Sequence, residues 1–266
     1  MISQNYVPCG DYCLFSVIKL PHKCPSKGSV LLLPGLGESK CDLDYFLTNL
    51  SDTLVENGYN TLQLDLYAHG DSPGEFEQLS SCIIADNIRS AIKYIREQTS
   101  HLPFVICRGI ISEFMSDQSL MEEIKGLITI SPAKLARADL EVVKSALSNE
   151  PDIVEYGSFQ RQQLIDKFFI MMGAEPDNML TRRIRIQFIK DILERLSQSS
   201  WTSKHYNNTV WISANIDNLS LNVDYDFSAV KIKSLAYYEG YALPRNILWQ
   251  HKFLLSTVAN IRRMSR

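Results

Sequence analysis

Short runs of apolar residues alternate along this chain with longer stretches in which apolar positions recur every three or four residues. Residues 12–20 are rich in strand formers and stop at Pro21. Val30-Leu31-Leu32-Leu33 is continuous and apolar and is closed by Pro34-Gly35, the pattern of a strand buried on both faces. Residues 44–57 then show helical spacing, with Tyr45, Phe46, Leu50, Leu54 and Val55 largely on one side and Gly58 as a helix-terminating glycine. Further strands are predicted at Thr61-Leu62-Gln63-Leu64-Asp65-Leu66, at Phe104-Val105-Ile106 and at Gly126-Leu127-Ile128-Thr129-Ile130, with a helix over 81–98 between the first two. From about residue 133 the strand pattern stops, and helices are predicted over 140–148, 159–172 and 181–196. It returns at Val210-Trp211-Ile212-Ser213 and over 230–235, before a last helix over 245–262.

Such alternation predicts an α/β architecture, a mostly parallel sheet with helices on both faces and right-handed crossovers. The strand-poor block predicts a helical cap inserted over the strand ends. The expected division is therefore 1–132 for the first part of the core, 133–200 for the cap and 201–266 for the second part of the core.

Composition narrows the function classes. At 266 residues, 45% hydrophobic and 21% charged, the chain suits one large globular domain or a core with an inserted subdomain. A formal charge of −3 carries no field toward nucleic acid, and Arg182-Arg183-Ile184-Arg185 reads as a solvated helix face. No apolar run reaches the ~18 residues of a membrane span, and the first residues, Met1-Ile2-Ser3-Gln4-Asn5, have neither the basic nor the apolar region of a secretion signal. Six cysteines without a paired metal spacing are expected to be reduced thiols in the cytoplasm. Neither a metal nor a cofactor is expected.

Three segments carry candidate chemistry: Leu33-Pro34-Gly35-Leu36-Gly37 after one buried strand, Asp65-Leu66-Tyr67-Ala68-His69-Gly70-Asp71-Ser72-Pro73-Gly74 after the next, and Val105-Ile106-Cys107-Arg108-Gly109 at the following strand-to-helix turn. In this order they resemble the α/β-hydrolase superfamily, in particular its acyl-esterase and serine-aminopeptidase-like branch. There the first segment reads like His-Gly-x-x-Gly and the second like Asp-x-x-Gly-His-Gly-x-Ser. The resemblance spans about residues 28–266 and is strongest over 30–110. It implies an α/β-hydrolase fold with Cys107 at the nucleophile elbow, and the backbone N–H groups of Leu36 and Arg108 as oxyanion donors. Asp217 follows the strand at 210–213 and matches the family's acid, with Asp224 and Asp226 as alternatives. The family's histidine context is Gly240-Tyr241 here, so Tyr241 stands where the base is expected; a phenol with a reference pKa near ~10 is a poor base at neutral pH. His251 and His205 are the other histidines considered for that role. His69, Asp65 and Ser72 read as turn-fixing residues.

Two functional readings follow. One is an acyl hydrolase or acyltransferase acting on an ester, thioester or amide through Cys107, a small-molecule acyl substrate or hydrophobic ligand being the partner. The other is a catalytically degenerate homologue that binds a small molecule or a protein, with Cys107 an inert core thiol. Unusual proton-transfer or dehydration chemistry by Tyr241 and Cys107 is a third. Phe168-Phe169-Ile170-Met171-Met172 in the cap reads either as the wall of an apolar pocket or as the cap's own core.

Overall fold

A computed structural model of the chain describes residues 1–22, 25–42, 45–130, 137–174, 176–198, 209–215, 220–222, 257–262 and 264. The chain opens with an antiparallel hairpin, β1 (Ile2–Cys9) and β2 (Tyr12–Lys19), in which Cys9 faces Tyr12. Its two-residue turn rests on Gly10 at φ 57, a conformation open to glycine at little cost. β3 (Ser29–Leu33), α1 (Phe46–Glu56), β4 (Asn60–Leu64), α2 (Ser81–Thr99) and β5 (Pro103–Arg108) follow in regular alternation. Two short helices, α3 (Ile111–Phe114) and α4 (Gln118–Met121), lead to β6 (Gly126–Ile130).

The chain then leaves the sheet. α5 (Arg137–Ala146), β7 (Ile153–Glu155), α6 (Gln162–Met171), β8 (Arg183–Arg185) and α7 (Ile186–Gln198) form an excursion in which β7 and β8 make a two-stranded antiparallel ribbon. β9 (Thr209–Asn215) rejoins the sheet beside β6, and β10 (Ser220–Asn222) pairs with it. The eight strands lie in the order β1-β2-β4-β3-β5-β6-β9-β10, parallel from β4 through β9 and antiparallel at both margins. This is the expected α/β architecture. The hairpin strand β1 adds to it; its alternation of exposed and buried residues shows that it covers the core on one face only.

Every residue of β3, β4, β5 and β6 is buried, as the continuous apolar runs required. Period-two alternation divides them between two cores. Val30, Leu32, Phe104, Ile106 and Ile128 pack with Phe46, Leu50 and Leu54 of α1 and with Val258 and Ile261 of the helical residues 257–262. Leu31, Leu33, Val105 and Cys107 face α2 and are continuous with the excursion's own apolar side chains, among them Phe168, Phe169 and Ile189.

The basic cluster is the main departure from expectation in this half. Arg183 and Arg185 lie on β8, not on a helix, because alternation over three residues buries Ile184 and exposes its neighbours. The helix starts only at Ile186. The strand expected over 230–235 and the start of the helix expected over 245–262 lie outside the described residues.

One buried carboxylate organises the sheet's carboxyl edge. Asp65 follows β4 with no solvent exposure and accepts hydrogen bonds from the backbone N–H of Lys40, the N–H of Asp71 at 2.9 Å and the Lys40 ammonium at 2.9 Å. Its own carbonyl accepts from the Ser72 hydroxyl, which in turn accepts from the Phe15 N–H on β2. Replacing Asp65 by Ala strands two backbone amides and leaves the Lys40 ammonium to Asp71 alone. The expected result is a loss of about 3 kcal/mol in urea unfolding followed by circular dichroism, with an unchanged m value.

Candidate functional site

The candidate site lies where β5 leaves the sheet. Pairing holds the strand to its last residue: Cys107 is opposite Leu33 on one side and Thr129 on the other, Arg108 is opposite Ile130, and the Gly109 N–H donates to the Ile130 carbonyl at 3.0 Å. The chain turns only at Gly109, at φ 59, and α3 begins two residues later. The sharp bend is therefore at Gly109 and not at Cys107.

What covers that bend is the end of α6. The Ile110 N–H, the first amide past the turn, donates to the Met172 carbonyl at 2.9 Å. The last carbonyls of a helix have no intrahelical partner, so Ile110 caps α6 from another part of the chain. The fit is tight enough to exclude side chains. A Cβ on Gly109 would stand 2.1 Å from Met172 O, and a Cβ on Gly35 would stand 2.4 Å from Gly173 O and 2.6 Å from Arg108 Nη2. Gly35, Gly109 and Gly173 thus meet at one junction: a Cβ is excluded at Gly35 and Gly109, and at Gly173 it would be tight, 3.1 Å from Gly109 Cα, on a backbone at φ 87.

Arg108 lies behind the junction. Its guanidinium has no exposure and forms a bidentate pair with buried Asp42, Nε to Oδ2 at 2.8 Å and Nη2 to Oδ1 at 2.7 Å. Neither Nη1 nor, despite its ion-pair contact, Nη2 has a hydrogen-bond partner of good geometry among the described residues. A Cβ on Gly173 would lie 3.6 Å from Nη1, so this cation sits beside the negative end of the α6 dipole.

The turn after β3 is fixed by His69. The Gly37 N–H donates to His69 Nε2 at 2.8 Å, while Nδ1 faces the Tyr67 carbonyl at 2.7 Å. A carbonyl only accepts, so the proton is on Nδ1 and the ring is neutral. Burial drives its pKa from 6.5 down to about 4, helped by the charge of Arg182 and opposed by the Tyr67 bond.

Arg182 fastens the excursion to the same turn. Nη1 donates to the Ala68 carbonyl at 3.0 Å, Nη2 to the Gly37 carbonyl at 3.3 Å and Nε to the Asn178 carbonyl at 3.0 Å, and the guanidinium stacks on Phe76 at 4.9 Å. Beside it an open cleft of about 510 Å³ is lined by Ala68, Gly74, Glu75, Phe76, Glu77, Asn178, Thr181, Arg182 and Arg183.

Of the site residues expected from sequence, Cys107, Leu36 and Arg108 fall among the described residues. Cys107 is buried at 1% exposure, and burial, with the charge of Glu113 adding, pushes its thiol far up. A thiol held protonated is a weak nucleophile, so this placement does not suit the expected role of Cys107. Leu36 is buried in the turn after β3. Arg108 is a strand residue whose side chain pairs with Asp42, and the first amide past the bend belongs to Ile110, two positions on. Asp217, Tyr241, Asp224, Asp226, His205 and His251 lie outside the described residues. Sequence reasoning named Met172 and Arg182 without these roles and did not single out Gly173, whose place at the end of an apolar helix was the one available signal. Among the described residues no three His, Cys, Asp or Glu side chains are grouped to hold a metal, and no helix is long and apolar enough to cross a membrane.

The assembled geometry matches known folds. A lipase in its open form superposes over all of both chains with a TM-score of 0.68 at 13% identity. A carboxyl esterase from Bacillus coagulans covers 100% of this chain and 99% of its own with 0.67 at 13%. A monoacylglycerol lipase from Paleococcus ferrophilus covers 94% and 99% with 0.60 at 16%. The fold is that of the α/β-hydrolases. No family model and no curated sequence matches the chain.

Two measurements test the site. His69 is neutral when folded and protonates near its ordinary pKa when unfolded, so the unfolded state binds more protons between about pH 6.5 and 4. Stability is expected to fall as pH is lowered through that window, by about 3 kcal/mol, and the His69→Gln variant to lose this component of the pH dependence in urea unfolding. Gly109→Ala is expected to cost about 3 kcal/mol or more, against about 1 kcal/mol for Gly10→Ala. The two glycines share nearly the same φ, 59 and 57, and Gly10 has open space around it, so the difference in thermal unfolding reports the contact with Met172.

Proposed function

We propose that this chain is a hydrolase-fold protein without acyl-transfer chemistry, a binding module in which a junction between cap and core stands where other members of the fold keep their reacting atoms. One observation carries the reading. In this fold the nucleophile occupies the sharp strand-to-helix turn, and the amide after it helps to hold the oxyanion. Here the turn residue is Gly109, which has no side chain to react, and the Ile110 amide is already bonded to the Met172 carbonyl.

The acyl-hydrolase reading requires a thiolate beside a cavity that admits an ester. Cys107 is enclosed between Leu33 and Thr129 in the sheet, its thiol is shifted away from ionisation, and it does not line the cleft next to Arg182. Moving the nucleophile from the bend into the strand would also turn it away from the bend's amides. Carboxyl esterases and lipases share the fold, and the proposed departure from them is local, confined to this turn and the segment over it.

The test is hydrolysis of chromogenic acetyl and butyryl esters by the full chain and by Cys107→Ala. The expected outcome is a rate equal to background for both, together with no labelling by a fluorophosphonate probe. Turnover by the wild type that disappears in Cys107→Ala would restore the acyl-hydrolase reading.

A further inference from the structure

The contact over Gly109 is an intramolecular one, and its chemistry defines what could take its place. The group held is a helix-terminal carbonyl, the negative end of the α6 dipole. It accepts from one aligned amide, Ile110 N–H, at 2.9 Å. Beside it stands a buried guanidinium nitrogen, Arg108 Nη1, with no hydrogen-bond partner among the described residues. A buried donor left unmatched costs about 1–3 kcal/mol, and more when charged. The junction is therefore an acceptor site filled by a neutral carbonyl that reaches only one of two neighbouring donors.

We infer that the α6 terminus is an internal occupant of a carboxylate site made by Ile110 N–H and Arg108 Nη1, and that a small organic carboxylate competes with it. This rests on the proposed function, since with glycine at the bend a bound acyl group is held and not attacked. A carboxylate brings two oxygens, one for each donor, where the peptide carbonyl brings one. The surroundings favour an apolar substituent: Leu36 and Met179 belong to the same buried apolar cluster as Phe168, Phe169 and Met172 of the α6 terminus. Competition requires the segment to withdraw, and Arg182 is the fastening that opposes withdrawal. Its bonds to the Ala68 and Gly37 carbonyls tie the chain to the core about ten residues beyond Met172. The apparent affinity of the closed protein is accordingly lowered by the fraction of molecules that are open.

Butyrate titrated into isotopically labelled full-length protein, wild type and Arg182→Ala, tests this, with amide exchange at Ile110 measured in parallel. In Arg182→Ala, Ile110 exchange is expected to accelerate by about ten-fold, and butyrate to shift the Ile110 amide saturably with about ten-fold tighter apparent affinity than in the wild type. The Arg108→Met/Asp42→Leu double variant, which removes the pair without stranding a charge, is expected to lose the response. The absence of a saturable shift at Ile110 in both wild type and Arg182→Ala overturns the inference, and so does an undiminished shift in a folded double variant. Ester turnover that depends on Cys107 would refute the proposed function instead, and it is read in a separate assay.

Discussion

A single close approach of backbone to backbone governs this protein. Gly35, Gly109 and Gly173 come from three distant parts of the chain, and the space between them admits no Cβ on Gly35 or Gly109. The bond from Ile110 to Met172 that this permits is worth only about 1 kcal/mol net by itself. Its consequence is larger than its energy. It joins the excursion to the sheet at the carboxyl edge of β5, the place where open α/β sheets present their ligand crevice. Any side chain at the bend would collide with the Met172 carbonyl, so it requires the helix terminus to move.

Charge supports the junction from two sides, and in both places a buried carboxylate is met by a cation. Asp65 gathers two backbone amides and a lysine to hold the loop after β4. Asp42 meets Arg108 through one hydrogen bond and a second close ion-pair contact in the loop after β3. A buried ion pair is weak evidence of net stability, since desolvation offsets most of the attraction. It is strong evidence of position, because removing either partner leaves an uncompensated charge. His69 serves the same end without charge: as a neutral ring it accepts from one turn and donates to another.

Most of the sheet was legible in the sequence because parallel strands buried on both faces leave continuous apolar runs. Val30 to Leu33 and Gly126 to Ile130 could hardly be anything else between turn residues. The turn-fixing roles of Asp65, His69 and Ser72 were legible too, since short polar side chains in a Gly-rich segment bond to nearby backbone. The bend was not. A motif locates a nucleophile by its flanking glycines, but with the bend residue itself a glycine the register slides by two, and Cys107 was read into a position that strand pairing denies it. The Met172 contact left no trace in the local pattern, because it joins residues more than sixty positions apart through backbone atoms common to every residue. Arg182 was hidden for a related reason. Its role depends on which carbonyls it reaches, and a basic cluster looks the same whether its members face water or a neighbouring loop.

The detour between β6 and β9 has a bearing on how the chain acquires its shape. These two strands are parallel neighbours, yet Leu127 and its partner Thr209 are separated by about eighty residues. Closing so long a loop delays the pairing, since its entropic cost falls before the contacts that reward it are made. On a ribosome, six strands from β1 to β6 emerge first, with the β6 margin bare until the excursion has been synthesised. That margin is then a row of unmatched peptide groups open to strands of other nascent chains. A chaperone engaging this polypeptide would find its most vulnerable interval there, after Ile130 has appeared and before Thr209 arrives.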